Sequence, residues 1–205
     1  CAEQFKARNL PLHLLINNAG LAGNRGLTQE GFEMTFGVNH LGHFLFTMEL
    51  LPLLKVAAPA RIVNVASLAH FNAKSIDFDT LNEKTRTTTG MSEYNVSKLA
   101  NVLFTQELAR RLEGTGVTTY ALHPGVVASD VWRNIPFPLD KLFNWVVKPF
   151  MISNDEGALT TLHCATSEAA ANETGLYYDK CKATAPNKVT QDLELATALW
   201  QHSAK

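Results

Sequence analysis

The chain has 205 residues, of which 46% are hydrophobic and 18% are charged, and 18 Lys and Arg against 19 Asp and Glu give a formal net charge of −1. This balance argues against a general nucleic-acid-binding protein, which needs an excess of positive charge. Length and composition indicate one globular domain, residues 1–205, with a core of ordinary size.

The termini and cysteines bear on location. The three cysteines are an odd number without a CxxC motif, so neither a disulfide framework nor a zinc site is indicated, and a reducing, cytosolic or cytosol-facing compartment is favoured. No apolar run reaches the roughly 18 residues of a membrane-spanning helix. The chain begins with Cys1 rather than Met, so an anchor upstream of Cys1 stays open and the localisation stays unknown.

Three short apolar segments predict β-strands. They are LHLLIN (12–17), IVNVA (62–66) and VTTYAL (117–122). Runs that are apolar on both faces are typical of parallel strands covered by helices on both sides. Their alternation with helix-like segments predicts an α/β fold.

Helical periodicity fills the intervals between these strands. Apolar residues recur at three- to five-residue steps over 28–57, which predicts a helix capped by Thr28. A second helix is predicted over 92–112, ending before Gly114 and Gly116. Further helices are predicted over 155–165 and 190–202.

Residues 134–152 form an unusual apolar segment. It contains three prolines, three Phe and one Trp around only three charges, so it is not a regular strand. Three interpretations remain open: a loop that covers the core, an apolar lid over a substrate, or a patch that contacts a membrane surface.

Tyr94 and Lys98 stand four residues apart on the predicted second helix, so their side chains project from one face. An ammonium beside a phenol favours the phenolate and therefore lowers the pKa of the tyrosine. The pair is a candidate for proton transfer. A surface pair without chemical function is the alternative.

Two further polar residues occupy positions where chemistry is possible. Ser67 follows the second strand, where parallel sheets open toward ligands, and its hydroxyl can donate to a substrate oxygen. A simple turn or cap serine is the alternative. Asn39 lies inside the first long helix, where Asn is unfavourable, and marks a kink, a water site or an exposed position.

Two other site classes receive little support. His40 and His43 lack a carboxylate or cysteine at a companion spacing, so no metal site is predicted. Ser67 with His70 or His123 would suit a hydrolase, but the G-x-S-x-G turn of such enzymes is absent.

The order of these motifs resembles the short-chain dehydrogenase/reductase superfamily. The matching residues are NNAG at 17–20, Asn39, Ser67, Tyr94-x-x-x-Lys98 and Pro124-Gly125. Longer strings such as VNHLGHF, RIVNVAS and YNVSKLANVLF are similar to the retinol dehydrogenase branch. The resemblance implies a Rossmann-like, doubly wound parallel sheet with helices on both faces.

The resemblance also implies roles for individual residues. Tyr94 would exchange the proton, Lys98 would lower its pKa and bind the nicotinamide ribose, and Ser67 would orient the carbonyl. Asn39 would hold a water of the proton relay. Cofactor-binding positions would be Asn17, Ala19, Gly20, Tyr94, Lys98, Pro124, Gly125, Val127 and Ser129.

The chain departs from the family pattern at its start. A Gly-rich turn opens these folds and binds pyrophosphate at a helix N-terminus, whereas Gly20-x-x-Gly23-x-x-Gly26 has another spacing and follows NNAG. The expectation is therefore a fragment without the N-terminal strands, which would leave the 12–17 strand as an apolar edge.

The expected function is NAD(P)-dependent interconversion of an alcohol and a carbonyl, with NADP(H) favoured over NAD(H). Reduction of retinal-like or lipid-derived hydrophobic aldehydes is the specific form, because segment 134–152 is apolar. The alternative is a catalytically silent, truncated domain that acts as a binding module. Membrane contact through 134–152 and a homodimer are further possibilities, and no nucleic-acid partner is expected.

Overall fold

The computed structural model describes residues 1–127 and 151–205, which form one five-stranded sheet covered by helices. The strands are β1 (Leu14–Asn17), β2 (Ala60–Val65), β3 (Val117–His123), β4 (Leu176–Asp179) and β5 (Lys182–Thr184). The α-helices of the described residues are α1 (Ala2–Lys6), α2 (Met34–Phe36), α3 (Gly42–Val56), α4 (Met91–Arg111), α5 (Asn154–Thr166) and α6 (Leu193–Ser203). Short 3₁₀ turns occupy Leu68–Asn72, Phe78–Thr80, Glu168–Ala170 and Lys188–Gln191.

The sheet confirms the α/β prediction. Its spatial order is β1-β2-β3-β4-β5, and the first four strands are parallel while β5 is antiparallel. The carboxyl ends of β1, β2 and β3 therefore meet at one edge of the sheet. The predicted strands 12–17, 62–66 and 117–122 coincide with β1 to β3 to within two residues.

Helices cover both faces of β2, which explains why this strand is apolar throughout. Ile62 joins the cluster formed by Phe44 of α3 and Leu108 of α4. The next residue, Val63, points to the other face and joins the cluster that contains Cys164 of α5. Because successive strand residues alternate between faces, both need an apolar side chain.

The first long helix begins later than predicted. The prediction of a helix from 28 with Thr28 as its cap is wrong, because the helix starts at Met34 and the carboxylate of Glu33 accepts from the N–H of Phe36 at 2.8 Å. Residues 27–33 form a tight turn in which Leu27 pairs with Glu33 and Gly31 adopts φ of +89°. That conformation ends any helix and suits glycine.

The C-terminal part contains a hairpin that periodicity did not predict. β4 and β5 are joined by Lys180 and Cys181, both with positive φ, as in a two-residue type I′ turn. The helix predicted over 190–202 is α6, and the carboxylate of Asp192 caps it by accepting from the N–H of Leu195 at 2.9 Å. The other two predicted helices match α4 and α5 to within one residue.

Most of segment 134–152 lies outside the described residues. Its last two residues are described, and Ile152 forms an isolated parallel bridge with Val127. Among the helices of 1–127 and 151–205, none combines the length and the apolar character needed to cross a bilayer.

Several histidines are buried in the neutral form. Burial lowers the pKa of His40 to about 3, and it lowers those of His43 and His123 to about 4. The unfolded chain takes up these protons near pH 6.5, whereas the folded chain does so only near pH 3 to 4. Folding stability is therefore present above pH 6.5 and is lost as the pH falls toward 4.

We expect the free energy of unfolding to decrease between pH 6.5 and 4, with each such histidine contributing up to about 1.4 kcal/mol per pH unit. Urea unfolding at several pH values measures this slope. His40→Gln should reduce the slope relative to the parent. An equal slope in His40→Gln and the parent would contradict the linkage.

Candidate active site

A cavity of about 1290 Å³ opens at the carboxyl ends of β1, β2 and β3. This edge is where open α/β sheets bind ligands. The walls come from the strand-end segments 18–20, 65–69 and 123–127, together with one face of α4 and the start of α5. The volume exceeds that of ordinary drug-sized pockets.

Ser67 lies at the end of β2 with its hydroxyl held by the following turn. Its extended backbone caps the 3₁₀ turn Leu68–Asn72, and Oγ accepts from the N–H of Ala69 at 3.2 Å. Since this bond uses Ser67 Oγ as an acceptor, the hydroxyl proton stays available. It is near enough to the phenol of Tyr94 to lower the pKa of that residue. Ser67 is thus a cap, as the alternative interpretation held, and its side chain also lines the cavity.

Tyr94 and Lys98 occupy one face of α4, both buried, and both line the cavity. Lys98 Nζ donates to the carbonyl of Val65 at 2.9 Å and lies 5.7 Å from the centroid of the Tyr94 ring. This geometry excludes the surface-pair interpretation. It also places the ammonium beside the ring of Tyr94. The carbonyl that holds the ammonium belongs to Val65, two residues before Ser67.

The electrostatics differ from the expectation that Lys98 lowers the pKa of Tyr94. Burial raises the pKa of Tyr94, and the hydrogen bond with Ser67 offsets part of that rise. Burial also lowers the pKa of Lys98 to about 8. Desolvation disfavours both charged forms, so in the protein without ligand Tyr94 is a neutral phenol at neutral pH.

Asn39 is buried in a short π-helical stretch, Gly37–Leu41, between α2 and α3. Its Nδ2 donates to the carbonyl of Leu21 and to Ser97 Oγ, both at 3.0 Å, and its Oδ1 accepts from the N–H of Leu21 at 2.9 Å. Single π turns inside helices are frequent at functional sites. The exposed-position interpretation is therefore wrong, and the local distortion of the helix is present.

Gly20 leaves space at the centre of the site. A Cβ there would lie 3.3 Å from Asn39 Oδ1 and 3.5 Å from Lys98 Nζ. Any larger residue would displace these two side chains or fill the cavity beside them. Gly125, after β3, adopts φ of +97°, which favours glycine.

The structure brings most of the sequence-predicted site residues to this cavity. Those that line it are Ala19, Gly20, Ser67, Tyr94, Lys98, Pro124, Gly125 and Val127. Asn17 is not among the lining residues: its Nδ2 donates to Thr47 Oγ1 and to Asn64 Oδ1 within the core, both at 2.8 Å. Asn39 lies behind the cavity wall, and Ser129 falls outside the described residues.

Sequence reasoning missed several lining residues. Met91 and Asn95 line the cavity with Tyr94 and Lys98, and the helical spacing i, i+3, i+4 and i+7 would have identified both. Gly157 of α5 also lines it, where a Cβ would meet Val127 Cγ2 at 2.5 Å. No local signal marks that contact, because 30 residues separate the two positions.

Several known proteins are similar to this chain in sequence and in fold. The family model described as short chain dehydrogenase matches residues 1–77. Retinol dehydrogenase 12 of Homo sapiens is 48% identical over all of this chain and 64% of its own length. A crystal structure of an uncharacterized protein from Mycobacterium Paratuberculosis superimposes with a TM-score of 0.74 at 31% identity, covering 98% of this chain and 69% of that one. This chain belongs to the short-chain dehydrogenase family.

Within the short-chain dehydrogenase family the chain is retinol dehydrogenase-like. The WW domain-containing oxidoreductase of Gallus gallus is also similar, with 38% identity over all of this chain and 51% of that protein. The chain thus spans between half and two thirds of the length of these curated relatives. Fold and family are shared, whereas the activity of the whole relatives is not transferred by this match.

The cavity fits the nicotinamide half of a dinucleotide cofactor, the group that this dehydrogenase family implies. Lys98 Nζ is buried and makes one described hydrogen bond, to Val65, so other protons of the ammonium are available to ribose hydroxyls. Gly20 provides the space beside it. Within the described residues no cluster of three or more His, Cys, Asp or Glu is arranged to hold a metal ion.

We expect Asn39→Ala to lower the free energy of unfolding by about 2 to 4 kcal/mol. The substitution removes the side-chain partners of the partly buried N–H and C=O of Leu21 and the donor to Ser97 Oγ, which keeps its own bond to the carbonyl of Tyr94. Urea denaturation measures the change. Asn82→Ala, at an exposed position, serves as the control and should stay within about 0.5 kcal/mol of the parent. A similar small effect at Asn39 would contradict the structural role.

Proposed function

We propose that this chain carries the catalytic site of an NAD(P)-dependent oxidoreductase that interconverts an alcohol and a carbonyl, working as an NADPH-dependent reductase of hydrophobic aldehydes. Retinal-like and lipid-derived aldehydes are the substrate class. The observation that supports this proposal is the convergence of Ser67, Tyr94 and Lys98 on one cavity at the carboxyl ends of the strands.

The protein groups would act on the substrate oxygen. The neutral phenol of Tyr94 donates its proton to the carbonyl oxygen as that oxygen gains negative charge. The hydroxyl of Ser67, held by the N–H of Ala69, donates a second hydrogen bond to the same atom and stabilises the developing oxyanion. A bound reduced dinucleotide supplies the hydride.

Lys98 and Asn39 would support the proton transfer. The Lys98 ammonium stabilises the phenolate that remains once Tyr94 has lost its proton. Asn39 bonds Ser97, on the helical turn between Tyr94 and Lys98, and also Leu21, so it connects α4 to the loop that follows β1. We further propose that a water held by Asn39 returns the proton to Tyr94 through Lys98.

The protonation state of Tyr94 bears on its role in the reaction. Because burial raises its pKa, Tyr94 is a proton donor at neutral pH, as carbonyl reduction requires. Alcohol oxidation needs the phenolate instead. The neutral phenol supports the proposed reductive role, and the choice of NADPH over NADH is a separate part of the proposal.

The substrate end of the cavity is apolar. Leu68 and Phe71 line it and are 44% and 46% exposed, and Met91 lies on the neighbouring face of α4. Exposed apolar side chains grouped in a cavity favour a hydrophobic ligand. Contact of 134–152 with a membrane, an anchor before Cys1 and a homodimer stay predictions.

Tyr94→Phe tests the catalytic assignment. It should lower turnover by about 100- to 10,000-fold, because general acid catalysis is lost, while dinucleotide binding measured by fluorescence titration is retained. Tyr120→Phe is the matched control, since it also removes a buried phenol hydroxyl, one bonded to Ala170 and remote from the lining residues. Unchanged turnover in Tyr94→Phe would contradict the catalytic assignment, and dinucleotide binding without turnover in the parent would support the silent binding module.

Phe71→Ser tests the substrate class. For long-chain or retinoid aldehydes we expect KM to rise by about tenfold, since apolar contact is lost, whereas acetaldehyde should be affected little. The same steady-state assays with NADPH and NADH determine the cofactor preference. Equal KM changes for both aldehydes, or a lower KM for NADH, would contradict these parts of the proposal.

A further inference from the structure

Two buried histidines hold the peptide unit that joins Ser67 to Leu68. His70 Nδ1 lies 2.6 Å from the carbonyl oxygen of Ser67. On the other side of the same peptide, the N–H of Leu68 donates to His123 Nδ1 at 3.3 Å. Both polar atoms of this peptide are therefore bonded to imidazoles from elements outside β2.

The hydrogen-bond partners determine the tautomer of each ring. His70 Nδ1 faces a carbonyl and must carry the proton, and its Nε2 accepts from the N–H of Asn187 at 3.1 Å. His123 Nδ1 accepts and must be unprotonated. Burial lowers both pKa values, that of His123 to about 4, so these neutral forms persist at neutral pH.

His70 is itself held in place by the C-terminal part of the chain. It is fully buried, and its ring centroid lies 4.7 Å from that of Tyr177 in β4. The side chain of Asn187 donates to the carbonyls of His70 and Ala73, at 2.9 and 2.8 Å. The His70 ring that contacts Ser67 is therefore itself held by Asn187 and Tyr177.

The orientation of this peptide determines where the Ser67 hydroxyl points. Upstream, the chain is fixed because the N–H of Ala66 donates to the carbonyl of Leu122 at 2.8 Å. Downstream, the N–H of Ala69 is the donor that holds Ser67 Oγ. If the 67–68 peptide tilted, this donor would move and the hydroxyl would lose its direction toward Tyr94.

We propose that His70 and His123 are positioning residues that clamp the Ser67–Leu68 peptide and thereby hold the Ser67 hydroxyl in its reactive orientation. This inference rests on the proposed function, because it assigns a purpose to the orientation of Ser67. Neither histidine exchanges a proton with the substrate in this arrangement. Displacement of a catalytic group by about 1 Å lowers rates by up to about 100-fold.

The test compares removal of each contact with its retention in the full chain. His70→Phe and His123→Leu remove the imidazole bonds to the peptide, while the backbone N–H of residue 70, which also donates to the carbonyl of Ser67 at 3.2 Å, is kept. His70→Asn keeps a donor near the position of Nδ1, and His123→Asn keeps an acceptor there. His40→Gln is the control, since His40 is equally buried and contacts Asn101 and Ser203 instead of Ser67.

We expect kcat to fall by about 10- to 100-fold in His70→Phe and His123→Leu, with KM for the dinucleotide unchanged. The two Asn variants should recover most of this loss, and His40→Gln should retain the parent kcat. As a measurement independent of activity, exchange of the Leu68 amide hydrogen should become about fivefold faster in His123→Leu and slow again in His123→Asn.

The outcomes separate this inference from the proposed function. If Tyr94→Phe abolishes turnover while His70→Phe and His123→Leu keep the kcat of His40→Gln, the positioning role is wrong and the function stands. If Tyr94→Phe keeps turnover, the function itself fails. Should His70→Phe not fold, the His123 pair decides, and equal Leu68 exchange in both His123 variants overturns the clamp.

Discussion

The active-site geometry depends on one buried hydrogen bond, from Lys98 Nζ to the carbonyl of Val65 at 2.9 Å. A buried ammonium is unfavourable without a hydrogen-bond partner. The bond to Val65, the last residue of β2, therefore determines the position of α4 along the direction of that strand. Tyr94 precedes Lys98 by one helical turn, and Ser67 follows Val65 by two residues. With this bond in place, the phenol of Tyr94 and the hydroxyl of Ser67 both line the cavity at the carboxyl ends of the strands.

A second set of buried polar contacts holds the other elements to this pair. Ser97, on the same helical turn, donates to the carbonyl of Tyr94 at 2.8 Å and accepts from Asn39 at 3.0 Å. Asn39 also bonds both polar atoms of Leu21, so one amide joins the loop after β1 to α4. A regular helix around Asn39 would alter the direction of that amide, which accounts for the π turn at this position.

The sequence was sufficient for the features that local period and spacing encode. Apolar runs predicted β1 to β3, and the four-residue interval predicted that Tyr94 and Lys98 share a face. Thr28 has the chemistry of a cap, but Gly31 with φ of +89° keeps its segment out of the helix. The bond between Asn187 and His70 joins residues 117 positions apart, and the bond between Leu68 and His123 of β3 joins residues 55 positions apart. Contacts at such separations leave no periodic signal in the sequence.

The pKa of Tyr94 shows why spacing alone was misleading. Proximity to Lys98 predicted a lowered value, but proximity acts together with desolvation, which raises the pKa of the phenol and lowers that of the ammonium. Both groups are thereby moved toward their neutral forms. The Ser67 hydroxyl is the one described group that lowers the pKa of Tyr94 directly. In the proposed function its orientation therefore affects both the alignment of the substrate and the acidity of Tyr94, and the proposed clamp on the Ser67–Leu68 peptide would preserve that orientation.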